Sequence, residues 1–247
     1  MFNISISPSE TAIFSVLIIV WGLLLYGGFV FGKIDDKEKR RMPLWTRLAS
    51  SFTLVVVGWL WFAFEQDTDI GQLALWLAIG MSFSFIGDVF MADILPLQPY
   101  VLYGIVAFGL GHIAYIIGLV HIGQTLDSSF PNYTVLIIWW LIGIGGWFFL
   151  VFWKGERSFL HYVALPYALL LASTVGIATN TALGHPAFII IAVGAALFLL
   201  SDLILAAELF SNLHFKLIGD VIWLTYGTGQ LLIVCGLILY TTLVAKT

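Results

Sequence analysis

The chain alternates long apolar runs with short polar connectors. A helix needs about 20 mostly apolar residues to cross the hydrocarbon core of a bilayer. Eight runs meet this requirement and predict helices at about 11–32, 47–64, 71–92, 99–121, 133–153, 158–179, 186–207 and 218–243. Short connectors favour antiparallel neighbours within one transmembrane domain over residues 1–247. The predicted fold class is all-α: a polytopic membrane bundle of eight transmembrane helices.

Composition supports a membrane location. Of the 247 residues, 61% are hydrophobic and 10% are charged, whereas soluble domains carry about 25% charged residues. The net charge of −4 comes without a basic stripe, so no nucleic-acid partner is expected. We expect a multi-pass protein of the cell membrane, with the bacterial plasma membrane as its location.

The basic residues predict the orientation of the bundle. Nine of the ten Lys and Arg residues lie in or beside odd-numbered connectors: Lys33, Lys37, Lys39, Arg40, Arg41, Arg47, Lys154, Arg157 and Lys216. Lys246 is the exception. Cytoplasmic connectors are enriched in Lys and Arg. The odd connectors are therefore predicted to be cytoplasmic and both termini extracytoplasmic.

Two aspartates interrupt the apolar runs. Asp88 is the only charge in Leu73–Ala92, and Asp202 is the only charge in Ala187–Ala207. Placing a carboxylate at the centre of a membrane helix costs about 2.5–3.5 kcal/mol on insertion scales. A single buried Asp can be a structural acceptor between helices, but two at one depth favour a functional pair.

Other polar residues lie near the level of these aspartates. In the predicted topology both carboxyl groups lie about one turn from the cytoplasmic ends of their helices, and the polar residues of helices 4 and 8 lie somewhat deeper. We expect these side chains to converge on one polar cavity, with Asp88 and Asp202 as catalytic groups. The candidates for orienting substrate or water are His112, Tyr115, Tyr226, Gln230, Ser84 and Ser201.

The two halves of the chain resemble each other. An offset of 114 residues carries Asp88 onto Asp202 and His112 onto Tyr226, and the strings SFIGDVFMA and FLLSDLILA align without a gap. This favours two parallel four-helix repeats, a known membrane-protein construction. The alternative is that apolar strings align by composition alone.

Metal and cofactor chemistry are not expected from the pattern. A catalytic zinc site needs about three ligands that converge at one level. Of the five His residues only His112 lies clearly within a span, and neither a phosphate loop nor a dinucleotide fingerprint is present.

Four strings carry a family resemblance: SFSFIGDVFMA at 82–92, FGLGHIAYIIG at 108–118, ALFLLSDLILA at 196–206 and VIWLTYGTGQLLI at 221–233. In their order and spacing, from helix 3 to helix 8, the chain resembles the YhhN-like family, the lysoplasmalogenase family of integral membrane proteins. The resemblance implies a hydrolase that cleaves the vinyl ether bond of lysoplasmalogens. The motif positions carried over are Asp88, His112, Tyr115, Asp202, Tyr226 and Gln230.

The resemblance also implies the substrate and the partners. They are a lysophospholipid and membrane lipid, and the products are a fatty aldehyde and a glycerophospho-alcohol. Two other functions stay open: a proton-coupled transporter, since intramembrane acids are common in those proteins, and a lipid-binding protein without activity. Oligomeric state, headgroup and the identity of the acidic Asp are left open by the sequence.

Overall fold

The computed structural model describes residues 7–126, 132–153 and 158–243. Its long helices are α1 (Pro8–Phe31), α2 (Leu44–Glu65), α3 (Gly71–Met91), α4 (Tyr100–Thr125), α5 (Tyr133–Trp147), α6 (Phe159–Gly184), α7 (Ile189–Ser211) and α8 (Ile218–Leu243). A π-helical turn, Phe148–Phe152, extends α5, and a 3₁₀ turn, Pro186–Phe188, precedes α7.

The predicted fold class is confirmed. Over the described ranges, the structure is helical and has eight helices that are long and apolar enough to cross a membrane, if the turn after α5 is counted with it. Lys154, Arg157, Lys246 and the outermost residues of both termini lie outside the described residues. The orientation relative to the membrane therefore stays a prediction.

Two helices begin earlier than the apolar runs suggest. Helix α1 begins at Pro8 because Ser7 and Glu10 form a capping box, in which the Ser7 hydroxyl accepts from the Glu10 N–H and the Glu10 carboxylate accepts from the Ser7 N–H. Helix α2 begins at Leu44, directly after Pro43. Hydropathy misses such first turns because capping uses polar residues and proline.

Helix α8 is the centre of the bundle. Of its most apolar 18 residues 72% are buried, compared with 11% for the fifth span, Tyr133–Phe152. It packs against α1, α2, α3 and α7. The fifth helix leaves large apolar side chains such as Leu141 and Phe149 exposed, as a helix at the lipid boundary does.

Helix pairing is nearly the same in both halves. In the first half α1, α2, α3 and α4 pack in sequence, and in the second half α5, α6, α7 and α8 do the same. The halves meet at two contacts, α4 with α6 and α8 with α2. Helix α8 is the counterpart of α4, and α2 is the counterpart of α6, so the two contacts are equivalent. This pattern supports the repeat hypothesis, whose decisive test is superposition of the two halves.

The symmetry breaks at α4. Helix α8 contacts both α1 and α3, but in the described ranges no Cα atom of α4 lies within 8 Å of one in α5 or α7. Only side chains bridge this gap, for example where the Phe108 and Phe198 rings meet with centroids 6.0 Å apart. An apolar cleft therefore remains between α4 and the helices of the second half.

Helices α7 and α8 approach backbone to backbone at paired glycines. A Cβ atom added to Gly194 would lie 2.7 Å from the Gly229 carbonyl oxygen, and one added to Gly229 would lie 2.8 Å from the Gly194 carbonyl oxygen. Small residues permit such approach between membrane helices. In the first half the counterpart contact joins Gly80 and Tyr115, each 114 residues earlier.

The connector between α1 and α2 is hydrogen-bonded to the start of α8. The N–H groups of Leu217 and Gly219 donate to the carbonyl oxygens of Glu38 and Lys39, at 2.9 and 3.0 Å. Lys39 also pairs with Glu208 at 2.7 Å. The first and seventh connectors consequently lie at the same end of the bundle, as the predicted topology requires.

The glycine crossing makes a testable prediction. Gly194→Ala should lower the free energy of unfolding by about 1–3 kcal/mol, because the added methyl group forces α7 and α8 apart. Thermal unfolding in detergent measures this. Gly22→Ala is the control, since a Cβ there meets no atom within 4 Å. Equal stability of the two variants would contradict the close crossing.

Candidate functional site

Asp88 is held by hydroxyl groups from two other helices. It projects from α3 and is 2% exposed. The Ser51 hydroxyl on α2 and the Tyr226 hydroxyl on α8 both donate to Oδ2 of Asp88, the latter at 2.9 Å. Oδ1 takes part in no hydrogen bond among the described residues. Buried carboxyl groups need such partners, because their desolvation is otherwise uncompensated.

A directed chain of hydrogen bonds leads to this carboxyl group. The Tyr115 hydroxyl on α4 donates to Oε1 of Gln230 at 2.8 Å, and Nε2 of Gln230 donates to the Tyr226 hydroxyl at 3.4 Å. Tyr226 then donates to Asp88. The structure brings these four sequence-predicted residues together, and all four are buried.

Asp202 has a parallel but different arrangement on α7. The Tyr167 hydroxyl on α6 donates to Oδ2 of Asp202. The Ser201 hydroxyl donates to the Phe198 carbonyl oxygen at 2.7 Å and also to Oδ1 of Asp202 at 3.2 Å. A hydroxyl group has one proton, which these two acceptors therefore share.

His112 lies beside Tyr115, with ring centroids 5.8 Å apart. Its Nδ1 is 2.9 Å from the Thr174 hydroxyl on α6. Its Nε2 is buried and has no hydrogen-bond partner in the part of the chain that the structure describes. The imidazole ring packs against Phe198, with centroids 4.5 Å apart.

The two carboxyl groups belong to one cluster. Tyr167, which donates to Asp202, packs on His112 with ring centroids 6.3 Å apart. The Phe198 ring packs on Tyr226, with centroids 5.1 Å apart, and also on His112. Helices α2, α3, α4, α6, α7 and α8 all contribute to this cluster.

Asp202 lines a cavity. The apolar cleft between α4, α5, α6 and α7 holds about 670 Å³ of space, its open side included, and among the described residues that line it Asp202 is the only charged one. Other lining residues include Met91, Ile105, Phe108, Trp147, Val151, Tyr167, Leu171, Leu199, Leu203 and Phe210. The prediction that these side chains line one polar cavity is therefore wrong. The polar residues pack against each other in a cluster, and the cavity beside them is lined mainly by apolar residues.

Ser84 lies further from the carboxyl groups than expected. It is fully buried one turn from Asp88 on α3, but its neighbour is the Tyr115 hydroxyl. No described hydrogen bond joins it to either aspartate. Among the described residues its hydroxyl oxygen has no hydrogen-bond partner.

Sequence reasoning missed three residues of the cluster: Ser51, Tyr167 and Thr174. Ser51 is one of several hydroxyl residues on α2, and Thr174 is one of several on α6. Nothing in the spacing marks them, because their role depends on α2 meeting α3 and on α6 meeting α4. Tyr167 could have been predicted, because it lies well inside a span, whereas tyrosines in membrane helices are enriched at the membrane interface.

Metal ligation has no support in the side-chain geometry. Over residues 7–126, 132–153 and 158–243, no group of three His, Cys, Asp or Glu side chains is placed to hold a metal ion. The cluster consists of carboxyl, hydroxyl and amide groups together with one imidazole, which suit proton transfer.

The fold and the cluster define a polytopic membrane protein with two carboxyl groups inside its bundle, Asp88 buried and Asp202 half-buried. This chain belongs to the YhhN family, whose family model matches residues 44–237. The match extends the resemblance to α2 and includes every site residue named above. Neither a curated protein nor a solved structure matches the chain.

The hydrogen-bond chain predicts a stability effect. Gln230→Leu should lower the free energy of unfolding by about 1–3 kcal/mol, because the buried Tyr115 hydroxyl loses its acceptor. Thermal unfolding of the purified protein is the measurement. Gln72→Leu, at an exposed position on α3, should leave stability nearly unchanged. A Gln230→Leu protein as stable as wild type would show that the chain contributes nothing.

Proposed function

We propose that this YhhN family member is an integral membrane hydrolase that cleaves the vinyl ether bond of lysoplasmalogen-like lysophospholipids. The products are a fatty aldehyde and a glycerophospho-alcohol. The observation that carries the proposal is a pair of carboxyl groups inside the bundle: Asp88 is buried, and Asp202 is half-buried and lines an apolar cleft. Family membership supports it, as do the eight apolar helices.

The chemistry needs two carboxyl groups in opposite protonation states. A neutral carboxylic acid protonates the β-carbon of the vinyl ether, and the double bond becomes an oxocarbenium ion. Water adds to the α-carbon and loses a proton, and the hemiacetal collapses to the aldehyde while the glycerol oxygen takes up a proton. Glycosidases meet a related oxocarbenium problem with two carboxyl groups.

Asp202 suits the acid role. It lines the cleft in which a vinyl ether would lie. An apolar surrounding disfavours a charged carboxylate, so the neutral acid form suits this position.

Asp88 suits the carboxylate role. Two O–H groups, from Ser51 and Tyr226, donate to its Oδ2, and such donation favours an ionised acceptor. An ionised Asp88 would stabilise the oxocarbenium ion and accept the proton of the attacking water. His112, whose Nε2 has no partner among the described residues, would orient that water.

The apolar cleft suits the alkenyl chain. Ligand sites are mostly apolar with a few placed polar groups, and here Asp202 and Tyr167 are the polar groups. A single hydrocarbon chain lying between α4, α5, α6 and α7 would bring its vinyl ether end to Asp202. A one-chain lipid fits this arrangement better than a two-chain lipid.

Substitution of either aspartate tests the proposal. Asp88→Asn and Asp202→Asn should each lower kcat for lysoplasmalogen by about 10²–10⁴-fold, the range that general acid–base groups supply. Aldehyde release by purified, folded protein is the measurement. Asp93→Asn is the matched control, because Asp93 lies just beyond α3, is exposed, and accepts only from Gln98.

Two results would contradict the scheme. Full turnover by either Asn variant would remove that carboxyl group from the chemistry. Proton-dependent uptake into proteoliposomes with no aldehyde from any lysoplasmalogen would favour the transporter instead.

A further inference from the structure

A second cavity lies at the end of the bundle where the first connector docks. It is formed by the end of α1, the connector and the start of α2, and it holds about 870 Å³, its open side included. Four cationic side chains line it, Lys33, Arg40, Arg41 and Arg47, together with the carboxylate of Asp35. The cavity therefore presents a strong positive charge next to the membrane span.

Two of these guanidinium groups have unused donors. Arg47 is 8% exposed, and its Nε has no hydrogen-bond partner among the described residues. The buried Nε of Arg40 has none there either. Arg41 differs, because it donates to the carbonyl oxygens of Val30 and Gly32 at the end of α1. Burying charged donors without an acceptor is costly, so the arrangement calls for an anion.

The nearby carboxylates do not meet this need. Asp35 uses Oδ1 to accept the N–H groups of Lys39 and Arg40, which shapes the connector. Asp220 is fully buried and accepts the N–H groups of Arg41 and Met42, one on each oxygen, at 2.5 and 3.1 Å. Neither donates or accepts a described hydrogen bond with the Arg47 side chain.

Arg47 connects this cavity to the carboxyl cluster. Its guanidinium group lies over the Trp223 ring, 5.2 Å from the centroid, and that ring packs on Tyr226 with centroids 5.3 Å apart. Arg47 also interacts electrostatically with Asp88. The Trp223 and Tyr226 rings therefore lie between a ligand anion held by Arg47 and the carboxyl group of Asp88.

We propose that this cavity is a subsite for the phosphate group of a lysophospholipid, with Arg40 and Arg47 as the binding residues. Guanidinium groups bind phosphate oxygens through paired, charge-assisted hydrogen bonds. In a lysoplasmalogen only the glycerol carbons separate the phosphate from the vinyl ether. Phosphate at Arg47, vinyl ether at the two aspartates and chain in the apolar cleft follow one another in the order of the substrate. The order of groups rests on the proposed function; phosphate binding does not.

A binding experiment tests the subsite without hydrolysis. The probes are an alkyl-ether lysophospholipid, which has no vinyl ether to cleave, the matching alkylglycerol without phosphate, and inorganic phosphate alone. Wild-type protein in neutral detergent should bind the lysophospholipid at least tenfold more tightly than the alkylglycerol. Inorganic phosphate should compete only at millimolar concentration, because it lacks the chain.

The variants are Arg40→Gln and Arg47→Gln, with Lys37→Gln as control. Each Arg variant should weaken lysophospholipid binding at least tenfold and leave alkylglycerol binding unchanged. Lys37 is an exposed cation of the same connector that does not line the cavity, so its variant should bind as wild type does. Arg40 is only partly buried, which keeps one test variant that folds if Arg47→Gln does not.

Three outcomes would overturn the subsite: wild-type protein that binds both lipids equally, Arg variants that bind the lysophospholipid as wild type does, or inorganic phosphate that binds as tightly as the lipid. Failure of the hydrolase proposal looks different. If the protein binds the lysophospholipid more tightly than the alkylglycerol but releases no aldehyde, the subsite is supported and the hydrolase proposal is contradicted. If it hydrolyses alkenyl lipids with and without phosphate equally well, the subsite is contradicted and the hydrolase proposal is supported.

Discussion

The bundle is organised around the need to hydrogen-bond two carboxyl groups inside a membrane protein. Asp88 on α3 takes its donors from α2 and α8, and Asp202 on α7 takes one from α6. An unpaired charged or polar group in such surroundings is strongly unfavourable. The donors therefore have to come from helices in both halves, and the contacts of α2 with α8 and of α4 with α6 hold them in place.

A broken symmetry separates the two aspartates. They occupy corresponding positions in the two halves of the chain. Helix α8, however, packs against α1 and α3 of the first half, whereas a cleft separates α4 from α5 and α7 of the second half. Asp88 is consequently enclosed by Ser51 and Tyr226, whereas Asp202 faces an apolar space. Similar groups in different surroundings are what a division into acid and carboxylate requires.

The sequence predicts the helices and most of the cluster. Long apolar runs reveal each span, and isolated polar residues within them reveal Asp88, Asp202, Tyr226 and Gln230. Ser51 and Thr174 could not be predicted, because hydroxyl residues are common in membrane helices and only tertiary packing selects among them. The Arg47 guanidinium group, whose Nε has no hydrogen-bond partner among the described residues, could not be predicted for a similar reason: in sequence it is one basic residue in a basic segment.

The isotopic composition of the product tests the central claim most directly. Purified protein would turn over lysoplasmalogen in D₂O, with the aldehyde trapped at once and examined by mass spectrometry. Proton transfer from Asp202 to the β-carbon predicts one deuterium on the carbon next to the aldehyde group, and release of labelled aldehyde from the Asp202→Asn protein at a rate at least about 10²-fold below that of wild type. Aldehyde without that deuterium, or the same labelled yield from Asp202→Asn, would contradict the account.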